Sequence, residues 1–158
     1  MAVVGPVFFD TSVLIGGLIE LGPGSEPAQA ALDAVAERKL GSVCTAWHCC
    51  LEFYAVSTRL PVEFRLTPDH ALQLLEEEIV SRFEIYQLPE DGLVHFLRAA
   101  GRERVAGGRV YDAHIAEIAR VSGARIVVTD NRRHFTSLLR HMIPVMSTLE
   151  FAKDRRLI

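Results

Sequence analysis

Short apolar runs alternate with longer periodic stretches along the whole chain. Val3 to Phe9 (VVGPVFF) is almost continuously apolar and predicts a buried strand, with Pro6 as a mild objection. Thr11 to Leu21 predicts a helix with little polar surface, closed by Gly22-Pro23-Gly24-Ser25. Ser25, Glu26 and Pro27 open a second helix to about Lys39. Ser25 can cap it, Pro27 is tolerated in its first turn, and Gly41 ends it. Ser42 to Thr45 is a second short strand. Ala46 to Arg59 is a long apolar helical stretch, broken by Leu60-Pro61. Thr67 to Ser81 predicts a helix capped by Thr67, with Pro68 at its first position. Phe83 to Leu88 alternates as a third strand, and Pro89 opens a helix to about Arg104. Ala106-Gly107-Gly108 is a flexible joint. Val110 to Val121 is amphipathic, with Ile115, Ile118 and Ala119 on one side and Gly123 in the position of a C-cap. Arg125 to Thr129 and Ile143 to Met146 are the fourth and fifth strands, and Thr148 to Asp154 is a final short helix.

Buried strands separated by helices predict an α/β fold, a parallel sheet with helices on both faces. The 158 residues fit one domain over 1–158. At 49% apolar and 23% charged residues, the chain can bury a sizeable core; disordered, collagen-like and disulfide-scaffold classes are excluded. A formal net charge of −3 excludes a strongly basic nucleic-acid coat and a polyacidic tail. Only Lys39 and Lys153 are lysines; the other basic residues are Arg, whose planar fork suits phosphate. Cys44, Cys49 and Cys50 are odd in number and closely spaced, which argues against disulfides and for a reduced, cytoplasmic setting. The N-terminal apolar run lacks a basic segment and a cleavage site, so it does not read as a signal peptide. No run approaches a membrane span.

In a parallel α/β sheet the ligand crevice lies beyond the carboxyl ends of the strands. Asp10 directly follows the first strand and Asp130 the fourth, so both face that edge. Glu52 is the only acid between Thr45 and Arg59, on a helix apolar almost all round, where an unpaired charge is costly. Asp112 opens the amphipathic helix and shares a face with Ile115, Ala116 and Ala119, so it belongs at the polar margin of that face. Each acid also has an ordinary structural reading. Asp10 and Asp130 suit turns, Glu52 suits an ion pair with Arg59 or Arg65, and Asp112 suits the first turn of a helix. Together they fit one pocket, and clustered carboxylates need a cation or a shared proton. An oxygen donor set suits Mg²⁺ or Mn²⁺, one ion or two, able to activate water against a phosphodiester.

The ordered segments FFDTSVL (8–14), LEFYAV (51–56), VYDAHIA (110–116) and GARIVVTDN (123–131) resemble the PIN-domain family, specifically the VapC-type ribonuclease toxins of bacterial toxin–antitoxin pairs. The resemblance covers essentially the whole chain. It implies a five-stranded parallel sheet ordered 3-2-1-4-5 in an α/β/α sandwich, metal-dependent endoribonuclease activity, a cognate antitoxin and a homodimer. On this likeness Asp10, Glu52, Asp112 and Asp130 match the four acidic positions that serve catalysis and the metal. Thr11 or Ser12 and Thr129 match the hydroxyl neighbours, with Asn131 assisting. One departure stands out. Many relatives follow the fourth strand with Asp-Phe, and here that place reads His134-Phe135. This puts the fourth acid, and any second metal, in question. The implied chemistry is attack by metal-activated water that expels the 3′ oxygen and leaves a 5′-phosphate.

Arg102, Arg104, Arg109, Arg132 and Arg133 flank the acidic motifs and are candidates for the RNA backbone, which the acids would otherwise repel. Ordinary surface charge is the alternative. Cys44, His48, Cys49 and Cys50 match no standard zinc spacing. His114 and His134 read as polar edge residues, and Trp47, Phe53 and Tyr54 as core or dimer contacts. Two other functions compete. One is a catalytically inactive binding module on the same fold. The other is a Mg²⁺-dependent phosphohydrolase, against which stands Ser12 where an Asp-x-Asp motif needs its second Asp.

Overall fold

A computed structural model describes residues 5–158. Five parallel strands form one sheet in the order β3-β2-β1-β4-β5. They are β1 (Val7–Phe9), β2 (Val43–Ala46), β3 (Glu84–Tyr86), β4 (Ile126–Val128) and β5 (Val145–Met146). This is the order implied by the resemblance. The central strand β1 pairs with β2 through Val7 and Val43, and with β4 through Val7 and Ile126. Val3 and Val4 of the predicted first strand lie outside the described residues; within them β1 begins at Val7, and the Pro6 carbonyl before it already accepts from Arg125 N–H at 3.0 Å.

Among the described residues seven α-helices flank the strands, six between strands and the last after β5: α1 (Thr11–Leu18), α2 (Glu26–Ala36), α3 (Trp47–Ser57), α4 (Pro68–Leu74), α5 (Glu90–Arg102), α6 (Arg109–Val121) and α7 (Thr148–Asp154). Helix α1 stops short of the expected Leu21 because Ile19 turns to extended backbone. Helix α4 starts where predicted, capped by the Thr67 side chain, and continues as a π-helical stretch over Leu75–Val80. Segment Arg132–His141 is wound as 3₁₀ turns, an element that no strand or helix period in the sequence predicts. Among the described residues no helix is long and apolar enough to cross a membrane.

The core is continuous across the sheet. Val7, Phe8 and Phe9 are fully buried, as are Val127 and Val128 beside them. Phe9 meets Phe83 and Phe151 edge-on, with centroids 5.6 and 5.8 Å away, a geometry worth about 1 kcal/mol per pair beyond burial. Helix α2 packs on α1 and α7, and α6 packs on α5 and on Arg132–His141. Thr45 Oγ1 donates to the Phe9 carbonyl at 2.8 Å, which ties β2 to the end of β1 immediately before Asp10. The carboxyl ends of β1, β2 and β4 are thereby fixed side by side.

Candidate active site

Asp10 sits where β1 gives way to α1 and is 4% exposed. Its Oδ2 accepts from Thr129 Oγ1 at 2.7 Å and from Ser12 Oγ at 3.4 Å. Both hydroxyls are themselves held by the loop after β4. Asn131 N–H donates to Thr129 Oγ1 at 3.0 Å, and Asp130 N–H donates to Ser12 Oγ at 3.1 Å. Two relays therefore run from one loop into one carboxylate. The thiol of Cys49 approaches Oδ1 at 4.0 Å. Thr11 contributes its backbone N–H, while its buried Oγ1 has no partner.

Burial pushes the Asp10 carboxyl up to about 6, against the opposing pull of the Thr129 and Thr11 hydrogen bonds; the nearby carboxylates of Glu52 and Asp112 raise it further. Three elements thus direct negative charge at one place: the end of β1, helix α3 and the first turn of α6. Glu52 and Asp112 line a common cavity of about 760 Å³ with His48 and His114.

The partners of these acids differ from expectation. Glu52 pairs with His48, whose Nε2 is 3.2 Å from Oε1, rather than with Arg59 or Arg65. It is also only half-buried, because α3 keeps one face exposed through Trp47, Leu51 and Tyr54, while Phe53 enters the core. His48 Nδ1 in turn lies 2.8 Å from His114 Nδ1. Burial, and then the neighbouring His48, lower the His114 pKa. Asp112 Oδ2 pairs with His134 Nδ1 at 3.2 Å. The residue that replaces the usual late acid is therefore at the site, facing a carboxylate.

Asp130 is placed differently from the other three acids. Its Oδ1 accepts from Thr148 N–H at 2.9 Å and its Oδ2 from Thr148 Oγ1 at 2.8 Å. Both oxygens are engaged at the start of α7. That helix end also carries a reciprocal capping box between Ser147 and Glu150. Asp130 reaches Asp10 only through its backbone and Ser12.

The arginines divide as well. Arg132 is bound by both oxygens of Glu150 at 2.9 Å. Arg109 and Arg133 line a larger cavity of about 1050 Å³ that reaches Asp112 and His134. Neither makes an ion pair with a described residue. Arg102 and Arg104 are exposed and line neither cavity. Cys44, Cys49 and Cys50 are buried and free, and burial raises all three thiols, Cys44 to about 12 and Cys50 to about 11.

The donor set fits a hard or borderline divalent cation: three carboxylates, one of them buried, each short of a cationic side chain apart from imidazole. Among the described residues, however, no three Asp, Glu, His or Cys groups stand close enough to enclose an ion in this arrangement. A cation would have to draw Asp112 away from His134 and replace the hydrogen between Glu52 and His48. His48 and His114, read from the sequence as part of a rejected zinc spacing and as a polar edge residue, instead join at this cavity. The available signal was the four-residue spacing from His48 to Glu52, which places both on one helical face.

Residues 6–133 match the PIN domain family. Ribonuclease VapC27 of Mycobacterium tuberculosis is 32% identical over 127 residues, covering 80% of this chain and 86% of its own. Ribonuclease VapC40 of the same species is 31% identical over 124 residues, covering 78% and 85%. Among solved structures, PAE2754 from Pyrobaculum aerophilum superposes with a TM-score of 0.61 at 18% identity, covering 98% of each chain. VapBC-1 from nontypeable Haemophilus influenzae gives 0.59 at 14% identity, covering 90% of this chain and 98% of that one. FitAcB from Neisseria gonorrhoeae gives 0.58 at 17% identity, with the same coverage. With the sheet order and the placement of its acids, these matches make the chain a member of the PIN-domain family, of the VapC type.

Proposed function

We propose that this protein is a metal-dependent endoribonuclease and the toxin of a toxin–antitoxin pair. The observation that carries the reading is the convergence of Asp10, Glu52 and Asp112 from three elements at the carboxyl edge of the sheet. The likeness to VapC27 and VapC40, both ribonucleases, supports the substrate class. Asp10, Glu52 and Asp112 would hold a Mg²⁺ or Mn²⁺ ion. That ion would supply an activated water and neutralise charge on the phosphate. Asp10 is the fixed member, oriented by Thr129 and Ser12 before any ligand arrives. Glu52 and Asp112 are the adjustable members, half-exposed and held by imidazoles. His134 replaces a negative charge with a neutral or positive one, which favours one ion over two. Asp130 is a bracing residue for the loop and not part of the cage.

Arg109 and Arg133 offset the acids along the larger cavity and are the arginines best placed for the RNA backbone. A cognate antitoxin and a second copy of the chain are the proposed protein partners. The likeness to VapBC-1 and FitAcB supports the antitoxin. The second copy is matched to the exposed apolar side chains Trp47, Leu51 and Tyr54 on α3 and Leu93, Val94 and Leu97 on α5. Cytoplasmic residence goes with that role and with three free thiols.

The alternative is the inactive binding module, favoured by His134 standing where many relatives carry a further acid. End-labelled RNA incubated with the antitoxin-free chain separates the two readings. Discrete cuts bearing 5′-phosphates, dependent on Mn²⁺ or Mg²⁺ and abolished by EDTA, are expected. A folded chain that binds RNA and never cuts it would be the module.

A further inference from the structure

Helix α3 carries His48 and Glu52 four residues apart, on one face. His48 Nε2 lies 3.2 Å from Glu52 Oε1, and its other nitrogen lies 2.8 Å from His114 Nδ1. Tyr111 packs edge-on against the same ring, centroids 5.8 Å apart. The imidazole is thus held at both ends and along one side.

Only one hydrogen fits between two Nδ1 atoms, so one ring donates and the other accepts. When His114 donates, His48 carries its hydrogen on Nε2 and gives it to Glu52. When His48 donates, Nε2 turns a lone pair toward the carboxylate, and a cation between them satisfies both. The two arrangements differ in tautomer and not in total protons. A hydrogen bond from the second ring nitrogen is also the ordinary support of a metal-bound histidine. The 3.2 Å separation matches the roughly 3 Å between neighbouring donors around an octahedral ion. His48, Glu52 and Asp112 line the same cavity. His134, the other imidazole at the site, lines the larger cavity instead.

We propose that His48 Nε2 is a metal ligand alongside Glu52 and Asp112, and that this nitrogen makes the site favour first-row transition ions, Mn²⁺ among them, over Mg²⁺. Imidazole is a common ligand of first-row transition ions, whereas Mg²⁺ is suited to oxygen donors. The proposal rests on the metal-dependent reading above and adds a ligand to it.

The test is pulsed electron paramagnetic resonance of the full chain loaded with Mn²⁺, which detects ¹⁴N coupling from a coordinated imidazole. Coupling is expected in the wild type and in His134→Gln, and is expected to vanish in His48→Gln. Calorimetry should show Mn²⁺ bound at least about tenfold more weakly by His48→Gln, with Mg²⁺ much less affected. Thermal unfolding checks that His48→Gln is folded. If it is not, His114→Gln takes its place: coupling that survives both His134→Gln and His114→Gln leaves His48 as its source among the imidazoles at the site, and coupling lost in His114→Gln overturns the proposal. Bound Mn²⁺ without ¹⁴N coupling overturns the proposal, as does coupling that persists in His48→Gln or disappears in His134→Gln. Each of those results is compatible with metal-dependent RNA cleavage, so the ribonuclease reading survives them. Absence of Mn²⁺ binding overturns both.

Discussion

Burying Asp10 comes at a cost to the fold. Its carboxyl is raised to about 6 chiefly by burial, so between roughly pH 4 and 6 the folded chain keeps a proton that the unfolded chain releases. The sign follows: Asp10 favours folding most below its unfolded value, and that contribution is lost as pH rises toward 6. With chelator present, Asp10→Asn is expected to be more stable than the wild type at pH 7, by up to about 3 kcal/mol. The difference should shrink toward pH 4, as measured by urea denaturation at both pH values. Equal stability at both would mean that Asp10 is solvated. The direction is informative because a residue kept for structure alone would lose stability when replaced.

At the scale of elements, Asp130 separates two ways of reading a strand end. Its side chain braces α7 through Thr148, and its backbone braces Asp10 through Ser12. Asp130→Ala and Thr148→Ala are each expected to cost about 1–2 kcal/mol of stability. In a double-mutant cycle their effects should be strongly non-additive. Metal affinity measured by calorimetry should stay at the wild-type level; a large loss would return Asp130 to the cage. The packing of α1 on α2 makes a second prediction. A Cβ on Gly17 would stand 2.6 Å from Leu32 side-chain atoms and 2.8 Å from the Ala28 carbonyl. Gly17→Ala gains about 1 kcal/mol of helix propensity but loses about 1–3 kcal/mol to overpacking, so thermal unfolding should fall. Such contacts explain what the sequence discloses and what it hides. Strands and helices were readable because each carries its own apolar period, as Ile115, Ile118 and Ala119 do on α6. Segment Arg132–His141 was not, because only Phe135 and Leu138 are buried, at the three-residue spacing of a 3₁₀ turn within an otherwise polar stretch. The acids were readable as a set, but the turn of Asp130 toward α7 was not, since it depends on where a helix eighteen residues later begins. The His48–Glu52 pair was hidden behind the cysteines around it.

Across the whole molecule, an acidic edge and a basic cavity meet at Asp112. RNA held by Arg109 and Arg133 should bind more weakly as salt rises. Replacing either with Ala should lower the slope of log affinity against log salt by about 0.7, as filter binding or fluorescence titration would show. Arg132→Ala should leave that slope nearly unchanged, because Glu150 already neutralises Arg132. The central claim is that Asp10, Glu52 and Asp112 form one hydrolytic centre. Its most direct test is the single-turnover cleavage of end-labelled RNA by wild type and Asp112→Asn, at saturating Mn²⁺ and matched folded concentration. Discrete cuts by the wild type and at least about a hundredfold slower cleavage by the variant are expected. Cleavage by Asp112→Asn at the wild-type rate would contradict the claim.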